Sequence, residues 1–276
     1  MNIQEAFRRD GAVHVPAAMS PDLVAEALRC FEWTVANPSP AAQSYYGDSG
    51  ARFYQDLFNT LSWPVYEHLV SDSRLSDLVL RALGCENLWF FFEQIFLKEG
   101  GDTRRTPWHQ DTSYFPVDGE DIAIVWMSFD SVAQEDALEF VRGSHRGTLF
   151  NGSSFAEDDD TDPLYDEGDM QRLPDIEVHR DDFDIIGWAV EPGDVVLFHP
   201  SVLHGGGQVR AGKRRRTLAL RYFGDDCNFV SRPSVRAESE VGFNRESSDS
   251  RDVSYFYEGL QPGDRFRHPE FLQVAG

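Results

Sequence analysis

The sequence predicts a mainly β domain with flanking helices, and three observations support this. Four stretches, Trp89–Lys98, Ile124–Ser128, Val195–Phe198 and Arg215–Tyr222, are apolar or alternate at period two, as strands do. Helical spacing appears in the N-terminal third. The 276 residues, 41% hydrophobic, suffice for one large β domain, and no Gly/Ser linker or repeat divides them. The expected organisation is a single domain over 1–276, with helical support over about 1–86, a strand core over about 87–224 and an extension over about 225–276.

In chain order, Ser20-Pro21 is an N-cap and first-turn pair. Val24, Ala27, Leu28, Phe31 and Val35 follow it as an apolar stripe at helical spacing. A second helix is expected from Arg74 to Leu83, with Ser73 as cap, Leu75, Leu78, Val79 and Ala82 inward and Gly84 as stop. Between the helices, Tyr45-Tyr46-Gly47-Asp48 and Arg52-Phe53-Tyr54-Gln55 show no clear period and read either as a roof over a substrate pocket or as packed loop. In the strand Trp89–Lys98, period two puts Gln94, Phe96 and Lys98 on one face. In the strand from Arg215, it puts Arg215, Thr217, Ala219 and Arg221 on one face and Leu218, Leu220 and Tyr222 on the other. Small residues on the arginine face suit a lumen that holds ligands. Arg221 then points inward, either to an anionic substrate group or to a buried carboxylate.

The chemistry centres on His109-Gln110-Asp111 and His204. In an extended segment residues i and i+2 face the same way, so His109 and Asp111 offer an imidazole and a carboxylate to one ion while Gln110 points away. His204 follows the Pro192-Gly193-Asp194 turn and the buried strand Val195–Phe198, and precedes three glycines that allow close backbone approach to a metal. Two imidazoles and a carboxylate leave three adjacent positions open. That is the facial triad of non-haem iron oxygenases and not a closed structural zinc site. His199 and His145 are assigned structural roles, and His179 a surface one.

The runs Trp108-His109-Gln110-Asp111 with Tyr114-Phe115-Pro116, and Phe198-His199-Pro200-Ser201-Val202-Leu203-His204-Gly205-Gly206-Gly207, together with Gly143-Ser144-His145 and Gly193-Asp194, resemble the phytanoyl-CoA dioxygenase family over about Phe90 to Phe223. The resemblance implies a double-stranded β-helix, also called a jelly roll or cupin-like barrel. It also implies an Fe(II)- and 2-oxoglutarate-dependent oxygenase using O2, with iron on His109, Asp111 and His204. Arg215, eleven residues beyond His204, would grip the far carboxylate of 2-oxoglutarate, and Gln94, Lys98 and Trp126 align with further cosubstrate contacts. On residue type alone, Lys98 is equally a strand-end charge reaching solvent and Trp126 equally core.

This chain departs from the family at Gly206, where a hydroxyl often contacts 2-oxoglutarate, and at Asp136-Ala137 and Arg142, which alter a turn. Asp111 disfavours halogenation, since related halogenases carry Gly or Ala there. The implied reaction is hydroxylation of an unactivated C–H bond of a small organic molecule, with succinate and CO2 released. Desaturation, epoxidation and ring closure are further outcomes of the same chemistry. Tyr114 and Phe115 are the first substrate-pocket candidates by proximity to Asp111, with Tyr46 and Arg221 beside them. Two rival readings are a metal-dependent cupin-like isomerase or lyase and a non-catalytic dioxygenase-like binding protein.

Composition bounds the partners. The net charge of −22, from 25 basic and 47 acidic residues, disfavours nucleic acid and anionic membranes. Eight acids and no base lie in Glu157–Asp169, which reads as a mobile surface loop, either a lid or a solvated face. The first residues lack an apolar signal core, no window is long enough to span a membrane, and Cys30, Cys85 and Cys227 read as reduced cytosolic thiols, so a cytoplasmic enzyme is expected. The C-terminal segment would cover the barrel end or a partner subunit, and the sequence fixes no oligomeric state.

Overall fold

The computed structural model describes residues 2–45, 51–101, 103–156, 158–166, 168–235 and 253–276. The N-terminal region contains α1 (Ile3–Asp10), β1 (Ala12–Val15), α2 (Pro21–Ala36), β2 (Gln43–Tyr45), β3 (Arg52–Leu57), α3 (Trp63–Ser71) and α4 (Ser73–Leu83). There follow β4 (Leu88–Glu99), β5 (Thr106–His109), β6 (Val117–Asp118), β7 (Ile122–Ser128), β8 (Leu138–Val141) and β9 (Ile185–Gly187). The chain continues through β10 (Val195–Phe198), β11 (His204–Gly206), β12 (Arg214–Phe223), β13 (Asn228–Phe229) and β14 (Gln273–Ala275).

The large antiparallel sheet runs β1-β10-β7-β12-β4-β3-β2, with β14 paired to the start of β4, and the smaller sheet runs β5-β11-β8-β9. One face of the large sheet presents Ile95, Leu97, Val125, Met127, Leu197, Leu218 and Leu220 to apolar residues of the four helices. The opposite face turns Ile124, Trp126, Ala219, Val196 and Phe198 toward Phe140 of the smaller sheet. Two facing antiparallel sheets with a filled interior make the jelly roll. The period-two parity of β12 therefore holds: apolar residues face the helices, and Arg215, Thr217, Ala219 and Arg221 are buried on the inner side.

α2 starts where Ser20 accepts a hydrogen bond from Leu23 N at 3.3 Å, and Leu23, Ala27, Cys30 and Phe31 are its buried stripe. α4 is capped one residue earlier than expected, by Asp72 accepting from Arg74 N at 2.9 Å, and it stops at Gly84 with φ +82°. Helices α1 and α3 were not marked by the sequence reading. The aperiodic stretch before α3 also differs from expectation, since β2 and β3 extend the large sheet, with Phe53 stacked on Tyr45 and Phe96.

The ladder between β12 and β4 slips between Arg221 and Tyr222, which pair with Phe92 and Phe90, so Phe91 is a bulged extra residue. Phe91 belongs to a buried cluster with Phe223, Phe115, Val253, Phe256, Phe266 and Phe271, an aromatic plug that packs the C-terminal segment against β4 and β12. The acidic stretch is likewise not the free loop expected. Leu164 and Tyr165 are buried, Tyr165 Oη donates to Ser113 O at 2.6 Å, and Arg104 and Arg172 pair with Asp160 and Asp159. Among the described residues no helix is long and apolar enough to cross a membrane, and the three cysteines are free thiols.

On the helix side of β4, Glu93 is fully buried. It accepts from Asn59 N and Ser62 Oγ, both at 2.9 Å, while its Oε2 has no hydrogen-bond partner among the described residues. Burial pushes its carboxyl up to about 8 from the ordinary 4.5. The unfolded chain releases this proton near 4.5 and the fold keeps it to about 8, so stability falls as pH rises through that window. Glu93→Gln is expected to raise stability at pH 8 by about 1–3 kcal/mol and to flatten the slope between pH 5 and 8, read by urea unfolding at several pH values.

Candidate active site

His109 closes β5 and His204 opens β11, and the two are cross-strand partners. Gln110 continues the extended chain, and Asp111 starts a 3₁₀ turn, Asp111–Tyr114. The carboxylate thus arrives from a turn and not from a continued strand, yet Gln110 still points away, donating to Thr148 O at 3.1 Å and Ser201 O at 2.7 Å. The ligand atoms of His109, Asp111 and His204 lie within 4.8 Å of one another and can hold a metal ion. Asp111 Oδ1 is 3.2 Å from His109 Nε2 and 3.7 Å from His204 Nε2.

Both imidazoles are aimed from behind. His109 Nδ1 donates to Pro107 O at 2.8 Å and His204 Nδ1 to Val202 O at 2.9 Å, so each Nε2 lone pair faces the centre. Burial, then the nearby His109, push His204 down to about 3. Burial alone would raise the Asp111 carboxyl, but Arg221 and the two histidines outweigh it and hold the group well below the usual range. At neutral pH His204 is therefore a neutral imidazole and Asp111 a carboxylate, donors that a divalent ion takes.

Arg221 meets a buried carboxylate, that of Asp111. Arg221 Nη2 lies 3.0 Å from Asp111 Oδ2 and 2.6 Å from Gln94 Oε1, and its guanidinium sits over the Phe92 ring at 4.5 Å. Gln94 therefore reaches Arg221. At the other end of the inner face, Arg215 and Lys98 are register partners on β12 and β4. Lys98, only 2% exposed, does not reach solvent: its Nζ donates to Arg104 O and Gly207 O, both at 3.3 Å. Arg215 donates to Asp136 O at 2.9 Å and also to Gly207 O. Burial and Arg215 hold the Lys98 ammonium well below its ordinary value, and burial brings Arg215 down to about 10.

The glycines after His204 allow close packing of neighbouring backbone and side chains. A Cβ on Gly205 would lie 2.9 Å from Thr106 O, and one on Gly206 (φ +89°) would lie 2.9 Å from Ala137 O. No hydroxyl side chain fits at Gly206 on this backbone, which accounts for the departure seen there. A Cβ on Gly207 (φ +75°) would stand 2.5 Å from Arg215 Nη1. Gly207→Ala is expected to cost about 1–2 kcal/mol of stability from the left-handed backbone alone and to displace the Arg215 guanidinium, measured as lower melting temperature with weaker dicarboxylate binding.

Trp126 is buried on the inner face, opposite Ala219. Tyr114 lies beside His109, ring centroids 6.1 Å apart, and donates to Ser153 O at 2.7 Å. Phe115 is buried in the aromatic cluster with Phe91 and Phe92, and the Arg221 guanidinium lies 5.6 Å from its ring. Tyr46 lies outside the described residues. His199 accepts from Ser201 N, and His145 lies near Arg8 O, both away from the triad.

Phe155 was missed by sequence reasoning. Its ring is 5.3 Å from His109 and stacks on Tyr114 at 6.0 Å, it is 37% exposed, and its φ of +60° is rare for an aromatic residue. Ser153 Oγ accepts from Phe155 N at 3.0 Å and fixes the turn. The local sequence Gly152-Ser153-Ser154-Phe155 carries no signal of proximity to His109, because that contact is set by the fold of the following acidic stretch.

A family profile described as Phytanoyl-CoA dioxygenase (PhyH) matches residues 7–217. A probable phytanoyl-CoA dioxygenase of Caenorhabditis elegans is 30% identical over 163 residues, 58% of this chain and 49% of that protein. The peroxisomal phytanoyl-CoA dioxygenase of Homo sapiens is 25% identical over 149 residues, 53% of this chain and 41% of that protein. The matched part thus spans less than half the length of these curated relatives. A crystal structure of the epimerase SnoN in complex with Fe3+, alpha ketoglutarate and nogalamycin RO has a TM-score of 0.69 at 19% identity, covering 99% of this chain and 97% of that one, a likeness of fold.

Proposed function

The chain belongs to the phytanoyl-CoA dioxygenase family, and from this we propose that it is an Fe(II)- and 2-oxoglutarate-dependent dioxygenase that hydroxylates a C–H bond of a small organic molecule. The single observation that best supports this reading is the buried cation pair. Arg215 and Lys98 stand side by side in register, meet mainly backbone carbonyls, and leave Arg215 Nε without a hydrogen-bond partner among the described residues. Two like charges out of water are costly together, and an anionic carboxylate offsets that cost. A metal-dependent isomerase or lyase built on the same triad has no use for such a pair.

In this reading His109, Asp111 and His204 hold the metal from one side, and Arg215, aided by Lys98, holds the distal carboxylate of 2-oxoglutarate. Thr217 and Ala219, between Arg215 and Arg221 on the inner face, leave room for a short dicarboxylate, with Trp126 beside them. Iron with 2-oxoglutarate and O2 supplies an oxidant able to act on an unactivated C–H bond. The aromatic plug and the stretch around Phe155 exclude water, and Tyr114 with Phe155 forms the wall nearest the metal on which the substrate lies. Three free thiols suit a cytoplasmic setting.

The test is succinate release from anaerobically purified protein given Fe(II), 2-oxoglutarate and O2. Iron-dependent succinate supports the dioxygenase. Cosubstrate binding without any succinate, even with a broad panel of small molecules, would instead favour a binding protein.

A further inference from the structure

Asp111 has two oxygens with divided duties. Oδ1 faces both imidazoles, at 3.2 and 3.7 Å, while Oδ2 is 3.0 Å from Arg221 Nη2. That Nη2 carries two N–H groups and meets two acceptors, Asp111 Oδ2 and Gln94 Oε1 at 2.6 Å, so its donor capacity is filled. The guanidinium is walled by Phe92 at 4.5 Å and Phe115 at 5.6 Å and is 4% exposed, which fixes its plane.

We propose that Arg221, steadied by Gln94, is a positioning residue that limits Asp111 to one-oxygen ligation and so keeps a coordination position open for O2. This rests on Asp111 being a metal ligand, as proposed above. A metal held by His109, His204 and one oxygen of Asp111 would have its remaining positions free for 2-oxoglutarate and O2. An Asp111 carboxylate free to chelate through both oxygens would take up one of them. A like-sized cation without Gln94 behind it, or Gln94 without the cation, would not hold Oδ2 away as firmly. In this assignment Gln94 acts through Arg221 and makes no contact of its own with 2-oxoglutarate.

Nitric oxide, a probe for the O2 position, tests this without turnover. Anaerobic Fe(II)·2-oxoglutarate protein is titrated with NO and followed by the EPR signal of the nitrosyl complex. Arg221→Met should keep the visible band of the iron–2-oxoglutarate complex but bind NO about 10- to 100-fold more weakly. Arg221→Lys should recover much of that loss, and Gln94→Leu should show a smaller loss in the same direction. NO affinity in Arg221→Met equal to that of the wild type overturns the proposal, as does an equal loss in the Met and Lys variants. Should Arg221→Met not fold, wild-type NO affinity in Gln94→Leu overturns it. If the wild-type protein itself forms no visible band with Fe(II) and 2-oxoglutarate, the functional reading fails first, and that outcome is separate.

Discussion

Asp111→Ala is expected to reduce iron-dependent succinate release by at least about 1,000-fold, the scale at which removing one member of an interdependent group abolishes its action. The change removes the anionic member of the metal cluster. It also strands Arg221, which pairs with Asp111 at 3.0 Å and whose Nε and Nη1 lack hydrogen-bond partners among the described residues. A buried cation left unpaired costs about 3–5 kcal/mol. The metal-free variant should therefore unfold at lower denaturant than the wild type, and the double variant Asp111→Ala/Arg221→Met should regain part of that stability while remaining inactive. Urea unfolding of the four proteins in the cycle, with succinate release alongside, reads both effects.

The second large effect is expected at Arg215. Arg215→Ala should weaken 2-oxoglutarate binding by about 30- to 1,000-fold, the range for losing one partner of a buried, hydrogen-bonded charge pair. Fe(II) binding should be unchanged, because Arg215 does not touch the triad. Arg215→Lys should recover only part of the affinity, since an ammonium cannot offer a carboxylate the two parallel donors of a guanidinium. The metal-free fold should tolerate the alanine well, because the change removes one of two like charges buried together with Lys98. Anaerobic titration with 2-oxoglutarate and a melting curve for each variant separate these outcomes.

Much of this was legible in the sequence because it depends on local periodicity. The i, i+2 spacing of His109 and Asp111 placed both on one side, and the alternation of Arg215–Tyr222 placed Arg215 and Arg221 inside and Leu218 and Leu220 against the helices. What stayed hidden depends on register between distant strands. Arg221 meets Asp111 across 110 residues and Gln94 across 127, so residue type alone could not choose between a substrate anion and a buried carboxylate. The bulge at Phe91 depends on an aromatic plug assembled from the C-terminal segment, and a period-two count cannot see it. β2 and β3 lack alternation because they extend a sheet edge with aromatic and polar contacts on both sides. The acidic stretch read as free because its charges are plentiful. It is folded because Arg104 and Arg172 neutralise part of that charge and because Tyr165 reaches back to the turn that carries Asp111.

The most direct measurement is an anaerobic titration of the Fe(II)-loaded protein with 2-oxoglutarate, followed by its visible metal-to-ligand charge-transfer band. A saturable band in the wild type, absent in Asp111→Ala and shifted to much higher 2-oxoglutarate in Arg215→Ala, is the predicted result. A wild-type protein that binds Fe(II) yet forms no band, or a band unaffected by Arg215→Ala, would contradict the assignment of this site to iron and 2-oxoglutarate.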